Sequence, residues 1–393
     1  MFSFMFRYEP YLPQDRERFV KIIASAYVIP QESVCHALDS FQQSDIRTLY
    51  HRDLLIGALG MLPAGQYFAG QSVSMTGVSS VAIAPEFRGK GAASHLMRSL
   101  LTELSNQKVA ISTLYPALPR LYRQFGYQFA GGNYTWQMPT AQIQFKQKLT
   151  NPQINIREIS PDLELLESLY TRQAKLNSGY IVRNAWFWLQ LLSSPNELAI
   201  YLIEENETLH GYFICEYKTE GQQKLVSIRD WVLLSAEAVY QFWQFLAHQR
   251  SQIPLVEWRS ASTDLLSLGL DYPTATLKQS TLWAVRLIDL AEAWQQRGYP
   301  QGITAELHWQ VSDPLIPQNS GNFVLSVAEG KATVSKGGQG NLKIAIDALA
   351  SLFTGFVSAA YLAQMGLLEG DHQSLAIANS LFMAHPPWML DFF

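Results

Sequence analysis

The sequence predicts a mixed α+β protein of three consecutive units, the first two built to one plan. Three observations carry this. A buried-strand pattern, Val81-Ala82-Ile83-Ala84, runs into a glycine-bearing turn and then an amphipathic helix with apolar residues at Leu96, Met97, Leu100, Leu101 and Leu104. A similar rhythm of two helices, three strands, a helix and a strand returns between Ile154 and Arg259. After Gly298, alternating strands precede two apolar helices. With 393 residues, 48% of them hydrophobic, the chain buries more core than one ordinary domain holds.

In order, the first unit reads as a short strand from Arg7, helices over 14–27 and 31–41, and strands over 46–51, 54–61 and 73–83. Pro63-Ala64-Gly65 reads as a turn. After the helix of 89–105 come a strand at 109–114, a short helix at 116–125, and two closing strands at 127–129 and 134–138. A polar stretch, 140–153, with Lys146, Lys148 and Pro152, reads as a linker. The units are expected at 1–140, 154–288 and 289–393. The second has helices at 162–175 and 184–192, strands at 198–204, 209–218 and 224–234, a helix at 236–250 and a strand at 255–259. The third has strands at 303–311, 322–327, 331–335 and 342–345, then helices.

The turn between the first unit's strand and helix is Arg88-Gly89-Lys90-Gly91-Ala92-Ala93-Ser94. Glycines let the backbone approach a ligand, and the free N–H groups of a first helical turn, with the helix dipole, suit phosphate oxygens. Arg88 and Lys90 add positive charge. Read alone, it is equally a plain turn between a core strand and a surface helix. In the second unit Ser235-Ala236-Glu237-Ala238 stands at the same place, and the Glu237 carboxylate repels phosphate. One phosphate-bearing ligand per chain is therefore expected.

Net charge is −4, which argues against nucleic acid as a partner, since phosphate binding on that scale needs a concentrated basic surface. The two cysteines, Cys35 and Cys215, have neither disulfide nor metal-ligand spacing, so no metal site and a reducing, cytoplasmic setting are expected. The apolar start is broken by Arg7, Glu9 and two prolines, and no signal peptide is read. Residues 348–368 carry no formal charge over a membrane-span length. Gly355, Ser358, Gln364 and Gly366 interrupt them, and they read as two buried helices.

The strand, the R-x-x-G-x-A turn and the helix, followed by Tyr122-Arg123-Gln124-Phe125-Gly126-Tyr127, resemble the acetyl-CoA site of the GNAT superfamily of acetyltransferases over residues 3–140. Tandem GNAT units, the second degenerate, then a sterol-carrier-protein-like unit ending in His385-Pro386-Pro387-Trp388 and Phe392-Phe393, resemble the Eis (enhanced intracellular survival) family across essentially the whole chain. That resemblance implies an acetyl-CoA-dependent N-acetyltransferase acting on a primary amine of aminoglycoside, polyamine or lysine type, assembled as a closed homo-oligomer, a hexamer in that family. It also implies the site. Val81, Ala82 and Ile83 would hold the acetyl and pantetheine portion, and Arg88, Gly89, Lys90, Gly91, Ala92, Ala93 and Ser94 the pyrophosphate, with Ala117 and Leu118 as further cofactor contacts. Tyr122 matches the general acid and the α-carboxylate of Phe393 the base. Gly89 stands where a second basic residue is common. The other readings are a carrier of lipid or another hydrophobic ligand, built on the third unit, and a CoA-binding scaffold without turnover.

The chemistry has its own logic. Acetyl transfer from a thioester needs a neutral amine, a donor to the oxyanion and an acid for the leaving thiolate. The Ile83 N–H is the oxyanion candidate. Tyr122 is protonated at neutral pH and close in reference pKa to a thiol, though a packed aromatic is its other reading. His95 reads as packing or surface. For the chain's last residues, the rings of Phe392 and Phe393 are the expected anchor, and Asp391 is read as too polar to serve.

Overall fold

The computed structural model describes residues 6–145, 154–194, 196–272 and 274–393. The first unit comprises β1 (Phe6–Pro10), α1 (Arg16–Tyr27), α2 (Gln31–Ser40), β2 (Ile46–His51), β3 (Leu54–Phe68), β4 (Gln71–Ile83), α3 (Ala92–Asn106), β5 (Ile111–Leu114), α4 (Pro119–Arg123) and β6 (Gln128–Pro139). The second has β7 (Ile154–Ile159), α5 (Leu163–Ala174), β8 (Ile181–Val182), α6 (Ala185–Leu192), β9 (Leu198–Glu205), β10 (Thr208–Glu220), β11 (Gln223–Leu233), α7 (Ala236–His248), β12 (Leu255–Ser260) and β13 (Thr276–Leu287). In the third are α8 (Leu290–Gln296), β14 (Ala305–Ser312), β15 (Gly321–Ala328), β16 (Lys331–Lys336), β17 (Leu342–Ala345), α9 (Ile346–Thr354), α10 (Ala359–Gln364), β18 (Leu368–Glu369) and α11 (His372–Phe382).

Helical spacing decides the crossover helices. In α3 the buried residues are Ala92, Leu96, Met97, Leu100, Leu101 and Leu104, and in α7 they include Ala238, Phe242, Trp243 and Leu246. Each crosses from a long strand to a parallel neighbour, β4 to β5 and β11 to β12, which makes the two units copies of one topology. Their strands form one sheet in the order β1-β2-β3-β4-β5-β13-β6-β12-β11-β10-β9-β7, with β8 on β3. Two strands cross over between the units. The last strand of the second unit, β13, lies between β5 and β6, and β6 pairs with β12.

Two strand assignments differ from the sequence reading. The segment Pro63-Ala64-Gly65 is not a turn, because β3 continues to Phe68 and reverses at Ala69–Gly70, both at positive φ. Gly65 leaves the space that Val182 of β8 fills: a Cβ there would meet Val182 Cγ2 at 2.8 Å. The two closing strands are one, β6, which Gly131 and Gly132 seemed to break. A Cβ on Gly131 would meet Trp283 Cζ2 at 2.1 Å, so that glycine marks a close approach of another element within the strand, and a Cβ on Gly132 would meet the Tyr134 ring at 2.5 Å. Of the linker, residues 146–153 lie outside the described residues.

The third sheet runs β16-β15-β14-β17-β18. Trp294, Trp309, Phe323, Phe353 and Phe382 are buried in one cluster with residues of the first unit such as Phe68 and Met75. The uncharged stretch of 348–368 holds two helices, α9, which is buried and closes on Gly355 at φ 80, and α10, which differs from the expected buried helix in burying only Ala359 and Leu362. Among the described residues, no helix is long and apolar enough to cross a membrane.

Beyond α11 the chain returns to the first two units. Trp388 lies against the rings of Tyr180 and Trp231, at 4.9 and 5.9 Å, and its N–H donates to the Ser178 carbonyl. The Met389 N–H donates to Gly132, Asn133 Nδ2 donates to the Met389 carbonyl, and Arg259 donates to the Leu390 carbonyl. Asp391 is an anchor, contrary to the sequence reading. Its carboxylate accepts from Arg183 Nε at 2.9 Å, and Arg183 also pairs with Asp230 at 2.7 Å. Phe392, by contrast, is 59% exposed. A buried carboxylate is tolerated there because a buried guanidinium, stacked on Tyr170 at 4.0 Å, is already in place.

This anchor is testable by denaturation. Arg183→Leu leaves Asp230 and Asp391 buried without their cation and is expected to cost about 3–5 kcal/mol. Asp391→Asn leaves the Arg183–Asp230 pair and is expected to cost less than half as much. Burial pushes the Asp391 carboxyl above its usual 3.8, against the pull of Arg183. The folded state therefore holds that proton more tightly than the unfolded one. As pH rises from about 4, stability is lost by the parent and not by the variant, and the gap between them narrows.

Candidate functional site

The site begins where β4 leaves β5. The two pair in parallel only at Met75, Thr76 and Gly77, opposite Ile111, Ser112 and Thr113. Beyond Gly77, β4 continues to Ile83 with β3 alone, and one edge of its backbone is open. A β-bulge sits on that stretch: Ser80 and Val81 lie opposite the single residue Leu59, and Ser80 takes φ 54. Past the bulge the register fixes which groups face the open edge. The Ala84 N–H donates to Ile56 in β3 at 2.8 Å, so by alternation the N–H and C=O of Ile83 point the other way. Arg88 Nε donates to that Ile83 carbonyl at 3.1 Å. Tyr27 Oη donates to the Val81 carbonyl at 3.4 Å.

The turn after β4 has the form that its glycines imply. Gly89 and Gly91 take φ 73 and 83, and a Cβ on either would meet nothing within 4 Å. The space in front of the turn is therefore open. The ladder of α3 starts with the His95 N–H on the Gly91 carbonyl at 3.0 Å, so the N–H groups of Ala92, Ala93 and Ser94 have no backbone acceptor among the described residues. The α7 turn differs at this point. The Ser235 hydroxyl accepts from the Ala238 N–H at 3.1 Å and bonds to His210 at 3.0 Å, and Glu237 lies in the first turn.

A cavity of about 490 Å³ adjoins the open edge. Val81, Ala117, Tyr122 and Phe393, chosen from three separate stretches of sequence, all line it. Tyr122 sits on the five-residue α4 and is 7% exposed; its hydroxyl has no protein partner among the described residues. Burial holds its phenol well above the usual 10, so it stays protonated. Phe393 reaches the cavity because Gly77 has no side chain: a Cβ there would stand 2.7 Å from the Phe393 ring. Its ring also meets Phe187 and Tyr115, at 5.7 and 5.8 Å, and the Tyr115 hydroxyl donates to the Asp391 carbonyl.

Not every expected residue is at the cavity. Leu118 is 66% exposed and lies off its lining. The Ala82 side chain is buried in the cluster beneath α1. His95 packs beside Phe6, at 5.6 Å between rings, away from the lining. Sequence reasoning missed Tyr27 and Ser79, whose hydroxyl is buried without a partner, and the α1 and α2 residues that form one wall. It also missed Arg183, Asn133 and Arg259. The available signal was Asp391 itself, a lone carboxylate inside the apolar run Trp388-Met389-Leu390-Asp391-Phe392-Phe393.

Comparison with known proteins finds three successive domains. Residues 7–130 match an acetyltransferase (GNAT) domain, 179–287 a second acetyltransferase (GNAT) domain, and 290–390 a sterol carrier protein domain. A GCN5-related N-acetyltransferase from Anabaena variabilis superposes with a TM-score of 0.95 at 36% identity, over 99% of this chain and all of the other. A GCN5-related N-acetyltransferase from Kribbella flavida gives 0.87 at 24% identity, over 99% and 98% of the two chains. Eis1 from Mycobacterium abscessus gives 0.82 at 19% identity, over 99% and 100%, which places the two chains in one fold. No curated protein matches the chain.

Gly77→Ala tests the seat of Phe393. Overpacking of this kind costs about 1–3 kcal/mol, and hydrogen exchange in residues 388–393 is expected to quicken while the exchange of α3 is unchanged. Equal protection of the tail in both proteins would show that Phe393 does not depend on the missing side chain.

Proposed function

Because this chain belongs to the GCN5-related N-acetyltransferases, we propose that it carries acetyl from acetyl-CoA directly to a primary amine at the cavity beside β4. The observation that supports this best is convergence: an open strand edge, a buried phenol and the chain's last residue meet at one cavity. In this reading the Arg88–Ser94 turn cradles the pyrophosphate with the free amides of Ala92, Ala93 and Ser94. Glycine at 89 and 91 leaves the space that the phosphates need. The filled cap at Ser235 and the carboxylate of Glu237 support one cofactor site per chain.

The residues then divide the chemistry. The amine nitrogen bonds to the acetyl carbon, the carbon–sulfur bond breaks, and the sulfur takes a proton. Ile83 N–H faces the edge where the carbonyl oxygen gathers charge. Tyr122 supplies the proton to the thiolate. Burial raises its pKa, and it raises that of a thiol in the same cavity for the same reason. The driving force therefore stays near the reference difference between phenol and thiol. The α-carboxylate of Phe393 holds the ammonium and, through water, accepts the proton that the amine must lose. The inner side chains of the third sheet, Trp309 and Phe323 among them, pack in one buried cluster with its helices and with the first unit, which supports a scaffolding role for that unit over a lipid carrier.

Tyr122→Phe decides the acid. Turnover is expected to fall about a hundredfold with acetyl-CoA affinity within a factor of two. The paired control, Gly91→Asp, is expected to lose at least tenfold in affinity because it adds a carboxylate at the pyrophosphate turn. The role of Phe393 is tested by a short peptide appended after it. A sharp loss of transfer with acetyl-CoA binding intact is the expected result, and an N-terminal extension is the control. Full turnover of the C-terminally extended protein would place the base elsewhere.

A further inference from the structure

The lining of the cavity bears on which amine enters it, and the inference here rests on the acetyl-transfer reading above. One wall comes from α1 and α2, with Phe19, Ile23, Val34, Leu38 and Phe41. The opposite side brings Tyr115, Pro116 and Leu282. Among the described residues of this lining there is no Asp, Glu, Lys, Arg or His side chain. The polar groups are hydroxyls, those of Tyr27, Ser79, Ser80, Tyr115, Tyr122 and Thr281, and backbone.

The mouth is apolar as well. Between α1 and α2, Tyr27, Val28 and Ile29 are 44%, 90% and 42% exposed, and Tyr27 and Ile29 line the cavity. Val28 holds φ 55, a left-handed conformation that β-branched residues rarely take. That turn keeps the side chains of Tyr27 and Ile29 at the entrance, where a charged rim would serve a polar substrate better.

A polyaminosugar or polyamine brings several ammonium groups. One can face the carboxylate of Phe393; each of the others would be stripped of water against walls that offer no counter-charge. A molecule with a single amine meets the opposite situation. Its amine reaches the Phe393 and Tyr122 end, and its body covers the apolar walls, within a volume of about 490 Å³ that lies in the range of small-molecule sites. We infer that the acceptor is a primary monoamine carried on an apolar aryl or alkyl body, and not a polycation.

The test uses the full chain with acetyl-CoA and thiol release as the readout. The acceptors are 2-phenylethylamine and octylamine, set against spermidine and an aminoglycoside. The expected kcat/KM is at least tenfold higher for the two apolar monoamines. Ile29→Asp, at the half-exposed mouth, is expected to reduce that preference fivefold or more, with acetyl-CoA affinity unchanged. Preference for the polycations overturns this inference and leaves the acetyl-transfer reading standing. So does a preference for octanoyl-CoA over acetyl-CoA with acceptors of either kind used equally, which would assign the apolar volume to the donor's acyl chain. Failure of every amine, with acetyl-CoA still bound, overturns both.

Discussion

A guanidinium at 1% exposure between two buried carboxylates fixes where this chain ends. Buried ion pairs contribute little net stability, since their attraction is offset by lost hydration. What Arg183 supplies is position. It is held by Asp230 and lies over the rings of Tyr170 and Trp188, so it offers one remaining direction, toward Asp391. Hydrogen bonds from the Asn133 and Arg259 side chains to the Met389 and Leu390 carbonyls then leave the last two residues one course, past Tyr115 and into the cavity. Arg183 belongs to the second unit and Asn133 to the first, so the site is complete only when all three units are docked.

The second constraint is the parting of β4 from β5. A parallel pair that ended together would satisfy its own backbone groups and leave no edge for a ligand. Here pairing stops at Gly77, the bulge at Ser80 and Val81 turns the strand, and β13 takes up the far side of β5. The sheet thus stays continuous around a local opening. The second unit repeats the strand–helix–strand crossover but closes its helix start with Ser235, so that a copied topology carries a different surface at its equivalent turn.

The elements easiest to read in the sequence were those with strong periodicity. Helices α1, α3, α7 and α9 and most strands of the third unit declare themselves by apolar residues at spacings of three and four, or two. The glycine turn before α3 was legible because glycine at positive φ and the free amides of a helix start are local properties. Strand ends were harder. Gly65 and Gly131 look like breaks, and are in fact places where Val182 and Trp283 come close. No local rule distinguishes the two, because the neighbour that makes the difference lies at a sequence separation of more than one hundred residues.

The same division holds for the function. Residues 81–94 and Tyr122 are read from local backbone geometry and side-chain type, so the sequence by itself determined the class of reaction and the place of a glycine turn at a helix start. It also determined that the second unit has no glycine at the equivalent turn. The cavity wall, the exchange of β6 and β13 between units, and the burial of Asp391 against Arg183 were decided only by tertiary structure. A charge is read as a surface residue until its partner is known, and Arg183 lies more than two hundred positions from Asp391 along the chain. An apolar side chain in α1 or α2 is likewise read as core until the fold leaves empty volume in front of it. Which side chains face that volume is a property of packing across the three units, which periodicity along one strand or helix does not contain.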